Sequence, residues 1–106
     1  PIATRFEAQQ VRLDGQAKVG VYHIDSDVLF LEQDVLVKRK GPKEQATVSA
    51  PALEARFNDN TVRTTEPSVI QTPGRTIRVK GFEMQTNTGD FKSLGKASVQ
   101  IEAVAK

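Results

Sequence analysis

The chain has 106 residues, room for one hydrophobic core and hence for a single domain, 1–106. It contains no cysteine, which excludes disulfide frameworks, thiolate zinc sites and thiol catalysis. Fifteen Lys and Arg against thirteen Asp and Glu leave a net charge of +2. That charge is spread along the chain instead of forming the patch that nucleic-acid binding requires, so no nucleic-acid partner is expected.

Val, Ile and Thr supply 26 residues and Leu 6, a balance that suits pleated strands better than helices. In chain order, Arg5–Leu13 reads as a strand with a slip after Ala8. Lys18–Ile24 alternates, and Asp25-Ser26-Asp27 makes a turn. Val28–Glu32 and Asp34–Lys40 follow as two strands, and Gly41-Pro42 breaks the chain. Gln45–Ala50 and Leu53–Phe57 alternate, ending at the Asn58-Asp59-Asn60 turn. Thr61–Thr65 and Ser68–Thr72 are predicted strands interrupted by Glu66-Pro67, with Pro67 expected at a strand start or edge. Pro73-Gly74 turns the chain into Thr76–Lys80 and Phe82–Thr86. Asn87-Thr88-Gly89-Asp90 leads to Phe91–Leu94 and Lys96–Glu102, and Ala103–Lys106 reads as a frayed end. A turn every 8–12 residues or so is the pattern of an antiparallel sandwich, barrel or stacked β-solenoid, so the fold class is all-β. A shift of 29 positions lays Thr47-Val48 on Thr76-Ile77, Leu53-Glu54 on Phe82-Glu83 and Val62-Arg63 on Phe91-Lys92, which predicts an internal structural repeat.

Enzyme chemistry finds little support. The single histidine, His23, lies in an alternating strand between Tyr22 and Ile24, with no nucleophile or orienting acid beside it in sequence. Asp25, Asp27, Glu32 and Asp34 lack the spacing of a calcium loop. Glu54 and Glu83 occupy equivalent echo positions. They are the one carboxylate pair that a carbohydrate-active domain would use, but solvated repeat positions explain them better. The glycines form no phosphate-binding motif.

The positive feature is an apolar face. Alternation points Val19, Val21, Val35, Val37, Val48, Ala50, Leu53, Ala55, Phe57, Val62, Ile77, Val79, Phe82, Met84 and Val99 to one side. Two readings stand: a closed sandwich core serving a structural or protein-binding role, or an interior that admits apolar ligands such as acyl chains. Val, Ala and Met line such a space without donors that need pairing. For a groove the expected lining is Val37, Phe57, Val62, Val79, Phe82, Met84 and Val99.

Specific motifs then narrow the choice. Thr65-Glu66-Pro67-Ser68-Val69-Ile70-Gln71-Thr72-Pro73-Gly74, followed by Thr76–Val79, Gly81-Phe82-Glu83-Met84 and Phe91-Lys92-Ser93-Leu94-Gly95-Lys96-Ala97-Ser98-Val99, resembles the C-terminal part of the LptC family of lipopolysaccharide-export proteins. Leu31-Glu32-Gln33-Asp34-Val35-Leu36-Val37 is similar to that family's Leu-x-x-x-Val-x-Val strand, and Ser49-Ala50-Pro51-Ala52-Leu53 to its entry into the next. The resemblance spans roughly Val19 to Ile101 and extends to the LptA and LptD N-terminal jellyrolls.

It implies an open, twisted β-jellyroll of stacked antiparallel strands that is no enzyme and needs no cofactor. It implies a periplasmic place, with an inner-membrane anchor helix that this chain lacks. It further implies lipopolysaccharide as cargo, and LptA and the inner-membrane LptF/LptG complex as partners through edge strands. Gly74 and Gly81 fall where the family has glycines, and a backbone turn is expected at each. The chain begins at Pro1 instead of Met and looks shorter than a full ectodomain, so a processed or truncated chain is expected, with homodimerisation through the exposed edge strands.

Overall fold

The computed structural model describes residues 2–8, 10–41 and 45–101, with side chains described at all of these except 8 and 99–101. Among the described residues nine strands make one antiparallel sheet: β1 (Ile2–Ala8), β2 (Val11–Ala17), β3 (Val19–His23), β4 (Val28–Lys40), β5 (Gln45–Arg56), β6 (Thr61–Thr72), β7 (Arg75–Gln85), β8 (Phe91–Ser93) and β9 (Ala97–Ile101). They stack in the order β1-β2-β4-β5-β6-β7-β8, with β3 also on β4 and β9 also on β7. The molecule is elongated, 47 × 29 × 25 Å.

Each long strand is broken near its middle. In β4, Gln33 and Asp34 adopt φ of 67° and 56°, and the pairing with β5 shifts between Glu32 and Val35. The register of β5 on β6 shifts between Ser49 and Glu54, and that of β6 on β7 between Thr64 and Pro67. In β7 the break falls at Gly81, φ 97°. The outer strands part at the same level. β2 and β3 both lie on β4, and Lys18 N, between them, donates to Gln33 O at 3.0 Å. On the far side β8 and β9 both lie on β7, where Leu94 N donates to Gly81 O at 3.0 Å and Lys80 N to Lys96 O at 2.9 Å.

These breaks line up into one corner. An extra residue in a strand bends it and can switch which side chains face inward. In β5 the buried positions change from Val48 and Ala50 to Leu53 and Ala55, and in β7 from Ile77 and Val79 to Phe82 and Met84. The sheet therefore folds over itself into two walls with one interior, an open jellyroll. The first wall is built of β1, β2, Val35–Lys40, Gln45–Ala50, Ser68–Thr72, Arg75–Val79 and β9. The second is built of β3, Val28–Glu32, Leu53–Arg56, Thr61–Thr64, Phe82–Gln85 and β8.

Side chains replace the missing ladder at the corner. Thr64 Oγ1 donates to Ala52 O at 2.6 Å and accepts from Glu66 N at 3.1 Å, and Ser68 Oγ donates to Glu66 O at 2.8 Å. Each such bond contributes on the order of 1 kcal/mol net, more if a buried group would otherwise be orphaned. A Cβ at Gly81 would lie 3.0 Å from Thr64 O and 3.1 Å from Thr65 Cα, so the corner needs glycine for closeness as well as for its positive φ. Gly74 also turns with φ 81°, as expected.

The structure corrects several sequence expectations. Arg5–Leu13 is a hairpin and not one strand: Arg5–Ala8 lies in β1 and Val11–Leu13 in β2, paired Phe6↔Leu13. Gln10 takes φ 67° at the turn, a role its residue type does not advertise; Gln9 lies outside the described residues. Four pairs of predicted half-strands, around Gln33, Pro51, Glu66-Pro67 and Gly81, are continuous bent strands. Val19 and Val21 are not inward: they pair with Glu32 and Phe30, because the break at Lys18 resets the alternation and puts Gly20 and Tyr22 on the face of Leu31 and Leu29. The echo at 29 residues is physical. Val48 and Ile77 both pair with Ile70, and Ala55 and Met84 both pair with Val62, so β5 and β7 are equivalent strands on either side of β6. Pro42, Lys43, Glu44 and 102–106, including the end predicted to fray, lie outside the described residues.

Candidate functional site

The space between the walls is the site to which the apolar residues lead. One inward-facing rung crosses the first wall as Thr4–Gly15–Val37–Val48–Ile70–Ile77–Val99. Paired residues of an antiparallel sheet point to the same face, so Val37, Val48, Ile70 and Ile77 form one continuous apolar line, each at most 7% exposed. The facing rung of the second wall is Leu29–Ala55–Val62–Met84–Phe91. Phe82 is fully buried and Met84 and Val62 nearly so.

Of the groove residues expected from sequence, Val37, Val62, Val79, Phe82 and Met84 come together in one cluster of buried side chains, with Phe57 half-buried against it. The side chain of Val99 lies outside the described residues, although its backbone pairs with Ile77. A narrow apolar recess of about 30 Å³ is lined from one wall by Phe6, Leu13 and Val37 and from the other by Leu29, Leu53, Phe57 and Val62. That is space for about one water molecule, so in this conformation the two walls are closed on each other.

Along the corner the walls are joined by backbone. Along the opposite side, side chains span the gap. At one end Phe6 of β1 stacks on Phe57 with ring centroids 5.1 Å apart, and Tyr22 tilts against Phe57 at 6.5 Å. The Tyr22 hydroxyl donates to Asp27, and that bond, with burial and the carboxylate's charge, raises the tyrosine's pKa. Farther along, Arg39 extends from the first wall, and its Nε donates to Thr86 O at 3.0 Å just past the end of β7. Arg39 is 6% exposed. Its neighbours Lys38 and Lys40 make it look like part of an exposed basic run, although it continues the inward phase of Val35 and Val37.

The other candidates do not assemble. His23 packs edge-on against Phe30 at 5.2 Å on the outer face. Glu54 sits beside Arg56, whose Nε donates to it at 3.2 Å; Glu54 and Glu83 flank Arg63 on one rung, an outward row of alternating charge. Among the described residues no cluster of three potential metal ligands occurs, and no helix is long and apolar enough to cross a membrane.

Comparison with known proteins agrees with this architecture. The family model of lipopolysaccharide-assembly, LptC-related proteins matches residues 1–102. Among solved structures, LptH of Pseudomonas aeruginosa superposes with a TM-score of 0.55 at 10% sequence identity, covering 86% of this chain and 95% of that one. LptH is described as the LptA-homologous periplasmic component of the conserved lipopolysaccharide transport device. At that identity the likeness shows the fold, an LptA-like jellyroll. No curated protein matches the sequence.

Proposed function

Because this chain belongs to the LptC-related lipopolysaccharide-assembly family, a family of transport components and not of enzymes, we propose that its two walls part to hold lipid acyl chains. In this reading Val37, Phe57, Val62, Val79, Phe82, Met84 and Val99 form the surface on which the chains lie. The protein works in the periplasm, held at the inner membrane by an anchor outside this sequence. It receives lipopolysaccharide from the LptF/LptG complex and passes it to LptA through its end strands. The observation that carries the reading is the asymmetry of the interior. One long side is closed by continuous backbone, and the other is spanned by the Phe6–Phe57 stack and the Arg39–Thr86 bond. Side-chain contacts break without unfolding a ladder, and each methylene of an acyl chain drawn from water returns about 0.8 kcal/mol. A chain of ordinary length therefore offsets the contacts it displaces.

The test is photo-crosslinking to lipopolysaccharide with a benzophenone side chain placed singly at Phe57, Phe82 and Met84, and at Glu54 and Glu83 as outward controls. Crosslinks at the first three and not at the controls are the expected result. A folded protein that crosslinks at none of them has a closed core, and the alternative of a structural or protein-binding β-sandwich without lipid replaces this one.

A further inference from the structure

Arg39 is the one charged residue with its side chain buried in the interior among the described residues. It lies on the rung Phe6–Leu13–Arg39–Ala46, one inward position nearer the open side than the rung of Val37 and Val48, and so at the lip of the apolar space. Its guanidinium is held between two glycines: a Cβ on Gly41 would come within 3.0 Å of Nη1, and one on Gly89 within 3.0 Å of Cζ and Nη1. The turn that receives it is itself braced, since Thr86 N and Oγ1 donate to Asn60 O at 2.8 and 3.1 Å and Gly89 N to Gln85 O at 2.8 Å.

Among the described residues no carboxylate forms an ion pair with Arg39. A guanidinium taken out of water loses solvation that one neutral carbonyl replaces only in part. Its remaining donors form the planar fork that matches a phosphate. This is a cation kept at the boundary between an apolar interior and solvent, with no carboxylate partner among the described residues.

We propose that Arg39 is a latch across the open side and the binding residue for a phosphate group on the headgroup of the lipid cargo. Empty, it clasps Thr86 and holds the walls together. Loaded, it leaves the Thr86 carbonyl for the phosphate, and the walls part to admit the acyl chains. The inference rests on the lipid-carrying role proposed above, and it adds the chemistry of the headgroup. An anion that pairs only with the released guanidinium favours the open form by its differential affinity.

Two measurements test it. The first is displacement of a fluorescent fatty acid by bis-phosphorylated lipid A and by the same lipid with both phosphates removed. The unaltered protein is expected to prefer the phosphorylated form by roughly tenfold, the scale of a charge-assisted bond. Arg39→Met is expected to bring that ratio close to one, with the dephosphorylated lipid bound at least as tightly as by the unaltered protein because the bond to Thr86 is gone, and Arg39→Lys to give an intermediate ratio. A tenfold preference that persists in a folded Arg39→Met variant overturns the proposal. The second follows the Arg39 Nε–H resonance by nuclear magnetic resonance while glucosamine 1-phosphate or inorganic phosphate is added. A shift with the sugar phosphate and little with phosphate is expected; no shift with either, or equal shifts with both, overturns the headgroup assignment. If neither lipid displaces the probe but the sugar phosphate moves Arg39, the anion site stands and the acyl-chain reading falls.

Discussion

At the scale of single residues, the corner and the interior set different demands at adjacent positions. Gly81 has φ 97° and its missing Cβ would meet Thr64 O at 3.0 Å. Gly81→Ala therefore combines backbone strain of about 1–3 kcal/mol with a clash against backbone that has nowhere to move. Phe82, next to it, is fully buried, and Phe82→Ala removes a ring from the middle of the interior. Its expected cost is about 3–5 kcal/mol, read as a lower midpoint of urea unfolding. Alternation made Phe82, Met84 and Val62 legible as interior, because each sits in an uninterrupted run. It misplaced Val21, since nothing about Lys18 announces that the phase restarts there. It also hid Arg39, whose inward position is visible only to a reader who lets a charge continue an apolar series.

At the scale of strands, what holds an element is the number of neighbours it pairs with. Among the described residues β1 pairs with β2 alone, so the ion pair from Arg5 Nε to Asp14 Oδ1 at 2.8 Å ties an otherwise weakly held edge. Arg5's hydrogen bond is the largest cause of the lowered Asp14 pKa, and the charges of Arg5 and Arg12 add to it against partial desolvation. A depressed carboxylate pKa stabilises the fold above the unfolded value and loses that contribution as pH falls through the folded one. Hydrogen exchange in β1, corrected for intrinsic rates, is therefore expected to lose protection relative to β4 and β5 on acidification below the usual carboxylate range. Asp14→Asn is expected to loosen β1 at neutral pH and to remove that acid step; an unchanged step assigns it to another group. At the corner, Thr64→Val deletes the donor to Ala52 O and the acceptor of Glu66 N. It is expected to cost about 1–3 kcal/mol, with the loss of exchange protection concentrated in residues 50–53 and 64–68. The same corner explains why strand ends were misjudged from sequence. Pro51, Glu66-Pro67 and Gly81 are chain breakers by residue type, and they do break the ladder, but the chain bends there and continues as one strand instead of turning back. A bend and a turn use the same residues, and only the pairing of the neighbouring strand distinguishes them.

At the scale of the whole molecule, strands stacked in one direction leave the sheet unclosed, and unpaired edges follow. The motifs around Thr65–Gly74 and Phe91–Val99 made the jellyroll legible. Whether its interior is filled was not legible, because a packed core and a closed groove ask for the same alternation, and the outcome depends on how the walls meet along the open side. The edges are a separate matter. Among the described residues β3 pairs with β4 alone, and around it Val21 is 49%, Tyr22 50% and Ile24 80% exposed. Free backbone donors and acceptors beside exposed apolar side chains make a template for another strand, and an isolated chain offers its own copies as the nearest source. The chain is therefore expected to self-associate in a concentration-dependent way in sedimentation velocity. Lysine on an edge repels a second copy of itself while leaving β3 on β4, so Val21→Lys with Ile24→Lys is expected to return the monomer at the same concentration and with an unchanged melting temperature. If the double variant associates as strongly as the unaltered chain, β3 is not the contact, and the next edge to test is at the opposite end, on β8, where Phe91 and the neighbouring Leu94 are exposed at 38% and 39%. Lysine at those two positions that restores the monomer assigns the contact to that end, and lysine there without effect leaves the β1 edge.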